Sequence, residues 1–147
     1  MSKLISEFAA KYKDLTATIK AAQEKIKSDS QTLIGAIFNE FFAKHGEHVF
    51  AVHWTQGTPG FNDGDECLFS VHDIWLSITE ESFEDGEGDY SPHHPELAEV
   101  FADFKVIQNL IKSIDNKYMQ MIYDNDAKVV YFGPTGELEI QEWNCGY

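Results

Sequence analysis

One acidic stretch of the chain carries carboxylates at the spacing of a calcium-binding loop. In a span of twelve residues, acidic side chains stand at positions 1, 3, 5 and 12, which are Asp85, Glu87, Asp89 and Glu96. A calcium loop wraps its ion with oxygen ligands at such positions. The sixth position is Tyr90 instead of the glycine that allows the sharp turn, and Pro92 and Pro95 stiffen the second half. A solvated acidic loop is therefore the preferred interpretation, and these four residues are only weak candidates for a metal site.

Two histidines and a cysteine are the other residues whose types could support chemistry. His53 and His72 fall on outward positions of two predicted strands, and a histidine pair can bind zinc or act as acid and base. The pair lacks the third ligand that a catalytic zinc site usually has. Cys67 follows Glu66, and nearby negative charge disfavours a reactive thiolate.

Familiar catalytic motifs are missing from the sequence. It contains no phosphate-cradling glycine loop, no nucleophile elbow and no HExxH motif. We therefore predict no catalytic residue and no cofactor, and a protein that is not an enzyme. The alternative is a divalent-metal-binding protein or a metal-dependent enzyme that uses the acidic loop and the histidines.

The charge of the chain is concentrated in one segment. The 147 residues include 11 basic residues, all of them lysines, and 25 acidic residues, for a net charge of −14. The window from His45 to Phe104 has no lysine and holds 14 of the acidic residues, so the flanks sum to zero. Such a block repels nucleic acid and anionic membranes and attracts basic protein surfaces. The absence of arginine, which grips phosphates with two hydrogen bonds, also argues against a nucleic-acid partner.

Acidic residues of two loops are the predicted partner-binding set. They are Asp63, Asp65, Glu66, Glu80, Glu81, Glu84, Asp85, Glu87 and Asp89. A protein with a basic surface is the partner that this charge fits, with neither nucleic acid nor membrane. Rows of carboxylates can also imitate the phosphates of DNA, although these residues cluster in loops and do not follow one helix face.

The N-terminal region, residues 2–45, is predicted to be helical in two parts. Apolar residues up to residue 27 recur at alternating steps of four and three, the spacing of a narrow coiled-coil-like stripe. They are Phe8, Tyr12, Leu15, Ile19, Ala22 and Ile26. The stripe predicts packing on a neighbouring helix or a second subunit, so a homodimer, and with it a structural or assembly role, is a further hypothesis. The polar residues 28–30 predict a break or a bend, followed by a wider apolar face on the most deeply buried helix.

The rest of the chain predicts an antiparallel sheet covered by helices on one face. A β-hairpin is expected over residues 48–76, an acidic loop over 79–94, a helix over 95–123 and a second hairpin over 128–143. The order ααββαββ indicates an α+β fold. The length fits a single domain, residues 1–147. The start of the chain lacks the features of a secretion signal, and no apolar run spans a bilayer, so a cytoplasmic location is expected.

The segment from Trp54 to Val71 resembles a signature of small proteins of tailed bacteriophages. That signature reads Trp-x-Gln-x-Thr-Pro-x-Phe-Asn-Asp-Gly-Asp/Glu, followed by Cys and Phe-Ser-Val. The residues that match it are Trp54, Gln56, Thr58, Pro59, Phe61, Asn62, Asp63, Gly64, Asp65, Cys67, Phe69, Ser70 and Val71. Gly57 and Gly60 stand where the signature has aromatic residues. The resemblance implies a phage protein in the host cytoplasm that inhibits a host defence factor or an ATP-dependent protease, as the PinA-type inhibitors of Lon protease do.

Overall fold

A single helix of 43 residues makes up the N-terminal part of the structure. The computed structural model describes residues 2–60, 64 and 66–144. Helix α1 runs over Lys3–His45, and the Ser2 hydroxyl caps it by accepting a hydrogen bond from the Ile5 amide at 3.3 Å. The break predicted at residues 28–30 is wrong, because this segment lies inside α1. Serine and aspartate cost a helix only tenths of a kcal/mol each where their side chains face water, so the regular apolar residues around them continue the helix.

The first half of α1 extends away from the rest of the protein as an arm. Every residue from 3 to 26 is exposed, and at about 1.5 Å per residue this arm is about 36 Å long. An ion pair ties α1 to the body at Lys27, whose Nζ lies 2.8 Å from Oδ1 of Asp124. The wide apolar face predicted for the second half is confirmed, since Ile34, Phe38 and Phe42 are buried.

Within the described residues, five antiparallel strands form the sheet. They are β1 (Ala51–Gly57), β2 (Ser70–Val71), β3 (Trp75–Ser77), β4 (Ala127–Phe132) and β5 (Glu137–Glu142). β1 is central: it pairs with β4 on one side and with both β2 and β3 on the other, and β4 pairs with β5. Both predicted hairpins are therefore present. The returning strand of the first is interrupted at residues 72–74, where the chain leaves the sheet between two short pairings.

The remaining helices differ from the prediction in two places. The acidic loop contains a short helix, α2 (Glu80–Glu84), because Thr79 and Ser82 form a capping box. The helix predicted over residues 95–123 is a 3₁₀ turn over Pro95–Leu97 followed by α3 (Ala98–Lys112) and α4 (Asn116–Tyr123). The side chain of Asp115 starts α4 by accepting a hydrogen bond from the Lys117 amide at 3.2 Å.

One face of the sheet packs against α1, α3 and α4, as an α+β fold requires. Phe38 of α1 stacks on Tyr131 of β4 with ring centroids 4.0 Å apart, and Trp54 of β1 meets Tyr123 of α4 edge-on at 5.3 Å. The hydroxyls of Tyr123 and Tyr131 lie 2.7 Å apart, so both polar ends are paired inside the core. The three long helices thus cover this face together.

The opposite face of the sheet is covered in part by α2. Phe83 of this helix contacts the rings of Phe50, His53 and Phe132 at centroid distances of 5.5, 4.9 and 5.6 Å. The ammonium group of Lys128 lies 4.6 Å from the Phe83 ring centroid. The Phe83 side chain therefore packs α2 onto this face of the sheet.

Candidate functional site

Five exposed carboxylates lie on α2 and in the turn that follows it. We call this set the acidic patch: Glu80, Glu81, Glu84, Asp85 and Glu87. The start of α2 is fixed by Thr79, whose hydroxyl accepts from the Ser82 amide at 3.2 Å while its own amide donates to the Ser82 hydroxyl at 3.3 Å. Carboxylates in the first turn of a helix interact favourably with its dipole, which offsets part of their mutual repulsion.

Asp89 of the predicted partner-binding set has an internal role. Its Oδ2 accepts hydrogen bonds from the Ile78 amide at 2.7 Å and from the Ser82 hydroxyl at 2.8 Å, and its Oδ1 lies 3.4 Å from Nε2 of His94. The preceding Gly88 is required for this closure, because a Cβ there would lie 2.6 Å from the carbonyl oxygen of Leu76. Asp89 therefore ties the end of the acidic segment back to α2.

The predicted binding residues outside the acidic patch and Asp89 are Asp63, Asp65 and Glu66. Asp63 and Asp65 fall outside the described residues, as do Phe61 and Asn62 of the phage-like signature. Glu66 is exposed ahead of β2, in a different part of the chain from α2. The structure thus brings five of the nine predicted residues together on one exposed element.

The calcium-loop spacing does not produce a converging set of ligands. Asp85 and Glu87 are exposed, whereas Asp89 turns toward α2, and the Glu96 carboxylate lies 3.7 Å from Nδ1 of His94. Over residues 2–60, 64 and 66–144, no group of three or more His, Cys, Asp or Glu side chains could hold a metal ion. The four carboxylates have the spacing of a calcium loop along the chain, but in the folded protein they do not surround a common point.

His53 and His72 line one cavity of about 310 Å³, together with Lys128 and Trp143. His53 is only 3% exposed, and its Nε2 lies 2.8 Å from the hydroxyl of Ser77, which is fully buried. Burial, helped by the charge of Lys128, lowers the pKa of His53 to about 4, so the ring is neutral near pH 7.

His72 makes a different set of contacts from His53. It is exposed, and its Nδ1 lies 2.8 Å from the Thr55 hydroxyl. Its ring meets that of Trp143 at a centroid distance of 5.2 Å. The two histidines therefore have separate partners, and the hydroxyl beside His53 is closed to a substrate.

Two residues at the C-terminal end of α1 form ion pairs with acidic residues of the lysine-free window. The ammonium of Lys44 lies 2.8 Å from Glu99 and 3.2 Å from Asp103, and Nε2 of His45 lies 2.6 Å from the same Asp103 oxygen. Hydrogen bonds from His45 and Lys44 lower the pKa of Asp103, and Lys44 lowers that of Glu99. Glu99 and Asp103 belong to α3. The acidic residues of the window that lack a cationic partner therefore lie mainly outside this helix.

The apolar stripe of α1 is longer than the stripe from Phe8 to Ile26 that the sequence predicts. Ile5 and Leu33 extend it at both ends with the same seven-residue repeat, and they are 55% and 69% exposed. At the base of the arm the stripe meets an apolar groove of about 270 Å³ lined by Ile26, Leu33, Ile34, Ile114, Tyr118 and Ile122. Counting seven-residue steps in both directions from Tyr12 would have found both added residues.

The described helices include none with the length and apolar content that crossing a bilayer demands. Comparison of the chain with models of protein families, with curated proteins and with solved structures found no match.

Proposed function

We propose that the chain is a non-enzymatic binding protein that docks its acidic patch on a basic surface of another protein. This proposal rests on the exposure and the ion pairing of the five carboxylates in the acidic patch. They are exposed within eight consecutive residues, and they form no ion pair with any residue that the structure describes. Like charges held this close repel each other, and a cationic partner removes that repulsion on binding.

The attachment of α2 supports a binding role for these charges. Phe83 packs into the aromatic cluster with Phe50 and Phe132, and Asp89 fastens the end of the segment. Two anchors thus hold one short helix whose outer side consists mainly of carboxylates. A preorganised set of charges loses less conformational freedom on binding than a flexible loop does.

The kind of partner follows from the resemblance to phage proteins. We propose a host protein in the cytoplasm of the infected cell, either a defence factor or an ATP-dependent protease, which the chain inhibits by occupying a basic surface. Simple charge complementarity is favoured over DNA mimicry. The five residues of α2 make little more than one helical turn, which is too short for a regular row of phosphate-like charges.

The test compares two variants that each lose three negative charges from different surfaces. The patch variant is Glu80→Gln/Glu81→Gln/Glu84→Gln, and the control is Glu137→Gln/Glu139→Gln/Glu142→Gln on the exposed positions of β5. Each immobilised protein is incubated with bacterial lysate at about 50 mM and about 500 mM salt, because screening weakens exposed charge pairs at the higher concentration. Captured proteins are identified by mass spectrometry.

We expect a partner that the wild type and the β5 control retain at low salt and that the patch variant loses. High salt should release the same partner from the wild type. Equal retention by the patch variant and the control, or retention that salt does not change, would refute the electrostatic role of the patch.

A further inference from the structure

The arm presents an unpaired coiled-coil seam to solvent. In heptad terms, Ile5, Tyr12, Ile19, Ile26 and Leu33 occupy one core position and Phe8, Leu15, Ala22 and Asp29 the other. The large members of this seam are 42% to 69% exposed. A helix without tertiary contacts is only marginally stable in water, so an arm of this length needs a partner for its apolar side.

The exposed seam is large enough for a stable interface. Its seven large apolar side chains together expose on the order of 900 Å², and a stable protein interface takes about 800 Å² from each partner. The groove at the base of the arm continues the same apolar surface onto α4. A partner that covers both the seam and the groove must therefore be a long helix with one apolar side. The arm of a second copy fits this description.

We propose that the arms of two copies pair antiparallel, with Leu15 of one copy facing Ile19 of the other at the centre of the seam. Each residue at one heptad core position then lies opposite a residue at the other core position. The facing pairs are Ile5 with Asp29, Phe8 with Ile26, Tyr12 with Ala22, and Leu15 with Ile19. The tip of each arm, with Leu4 and Ile5, ends beside the apolar groove at the base of the other.

Side-chain size favours this arrangement over a parallel one. A parallel pair in register would place Tyr12 against Tyr12 and Ala22 against Ala22, which crowds one layer and leaves a gap in another. The antiparallel pair sets the large Tyr12 against the small Ala22. It also separates the two Asp29 carboxylates, which a parallel pair would bring together inside the seam.

Charge favours the same arrangement. Residues 3–30 carry six lysines and four carboxylates, whereas residues 31–147 carry five lysines and 21 carboxylates. A parallel dimer would hold two strongly acidic bodies side by side at one end. An antiparallel dimer places them at opposite ends and brings the net-positive arm of each copy beside the acidic body of the other.

Site-specific cross-linking distinguishes the two orientations. All variants carry Cys67→Ser and Cys145→Ser, so that only the introduced thiol reacts with a short bismaleimide. The midpoint of the antiparallel pairing falls at residue 17, so the Thr18→Cys thiols of the two copies lie on the same flank of the seam. The two Ile5→Cys thiols lie about 36 Å apart in the antiparallel dimer, since 24 residues separate positions 5 and 29 along the helix.

We expect Thr18→Cys and the double variant Ile5→Cys/Asp29→Cys to give covalent dimers, and Ile5→Cys alone to stay monomeric on a denaturing gel. Efficient cross-linking of Ile5→Cys alone would overturn the proposal in favour of a parallel pair. A monomeric mass for the wild type by light scattering at about 100 µM would also overturn it, because a self-associating arm dimerises with rising concentration.

A pair of aspartate substitutions tests the seam without relying on cross-linking. Ile19→Asp should convert the dimer to a monomer, whereas Ala17→Asp, on the outer side of the same helical turn, should leave the dimer intact. Tryptophan fluorescence, to which the buried Trp54 contributes, reports whether the body remains folded in both variants. A dimer that survives Ile19→Asp would show that the arms do not form the interface.

Discussion

At the scale of single residues, Gln56 shows how a polar side chain becomes part of the core. Its amide donates to the carbonyl oxygens of Met119 at 3.0 Å and Asp124 at 2.8 Å, and its Oε1 accepts from the Trp54 indole at 3.1 Å. These bonds connect β1 to α4 and to the residue after it. The tryptophan and glutamine of the phage-like signature therefore have a structural explanation within this chain.

His53 makes the stability of the protein sensitive to acid. Its pKa of about 4 in the folded protein lies below the ordinary value of 6.5, so between these values the unfolded chain binds a proton that the folded chain does not. The free energy of unfolding should therefore fall as the pH drops from about 6.5 to about 4, by on the order of 3 kcal/mol from this group. Urea unfolding across that range should show a flatter pH dependence for His53→Gln.

The matched control for this prediction is His72→Gln. His72 lines the same cavity but is exposed, so this variant removes an imidazole from the cavity and leaves the buried one in place. If His53→Gln and His72→Gln flattened the profile equally, burial of His53 would not be the cause.

At the scale of elements, the helix boundaries show what local sequence can and cannot decide. Residues 28–30 and 113–115 have similar compositions, yet the first segment continues a helix and the second ends one. The difference is tertiary: α1 continues through residues 28–30 to bury Ile34 and Phe38, whereas the chain turns before α4 so that Met119 and Tyr123 are buried against the sheet. The hairpins were predictable because alternation of apolar residues is a local signal.

The acidic patch was likewise predictable in part. Its five carboxylates are visible in the sequence, but the inward turn of Asp89 depends on the Ile78 amide, whose position only the folded chain defines. Phe83 is an aromatic residue within the acidic stretch and so indicates an anchor, but the face of the sheet on which it packs is defined only by the folded chain.

Truncation of Phe83 should release α2 from the sheet. The side chain is half-buried, so Phe83→Ala should lower the free energy of unfolding by about 1 to 2 kcal/mol, less than a fully buried phenylalanine would. Amide hydrogen exchange should quicken at Phe83 and Asp85, whose amides bond within the α2 turn. The exposed Leu68→Ala serves as control and should change neither quantity. Unchanged exchange in α2 would mean that Thr79 and Asp89 suffice to hold it.

At the scale of the whole molecule, the two proposed surfaces lie on separate parts of the chain. The acidic patch belongs to the body and the apolar seam to the arm, so each can be altered without touching the other. A dimer that carries two patches would engage a repeated or oligomeric target at both ends. Linking two binding sites in this way raises apparent affinity where the geometry permits simultaneous contact.

The shape of the dimer in solution follows from the antiparallel arms. With the arms overlapping along about 36 Å and each body extending beyond its own arm, the centres of the bodies should lie more than about 50 Å apart. Small-angle X-ray scattering of the wild type should therefore give a distance distribution with two maxima, one within a body and one between bodies. Ile19→Asp, as a monomer, should lose the second maximum and Ala17→Asp should keep it. A parallel pair would hold the bodies side by side and give no long second maximum, because mutual repulsion of acidic bodies at one end cannot separate them by the length of an arm.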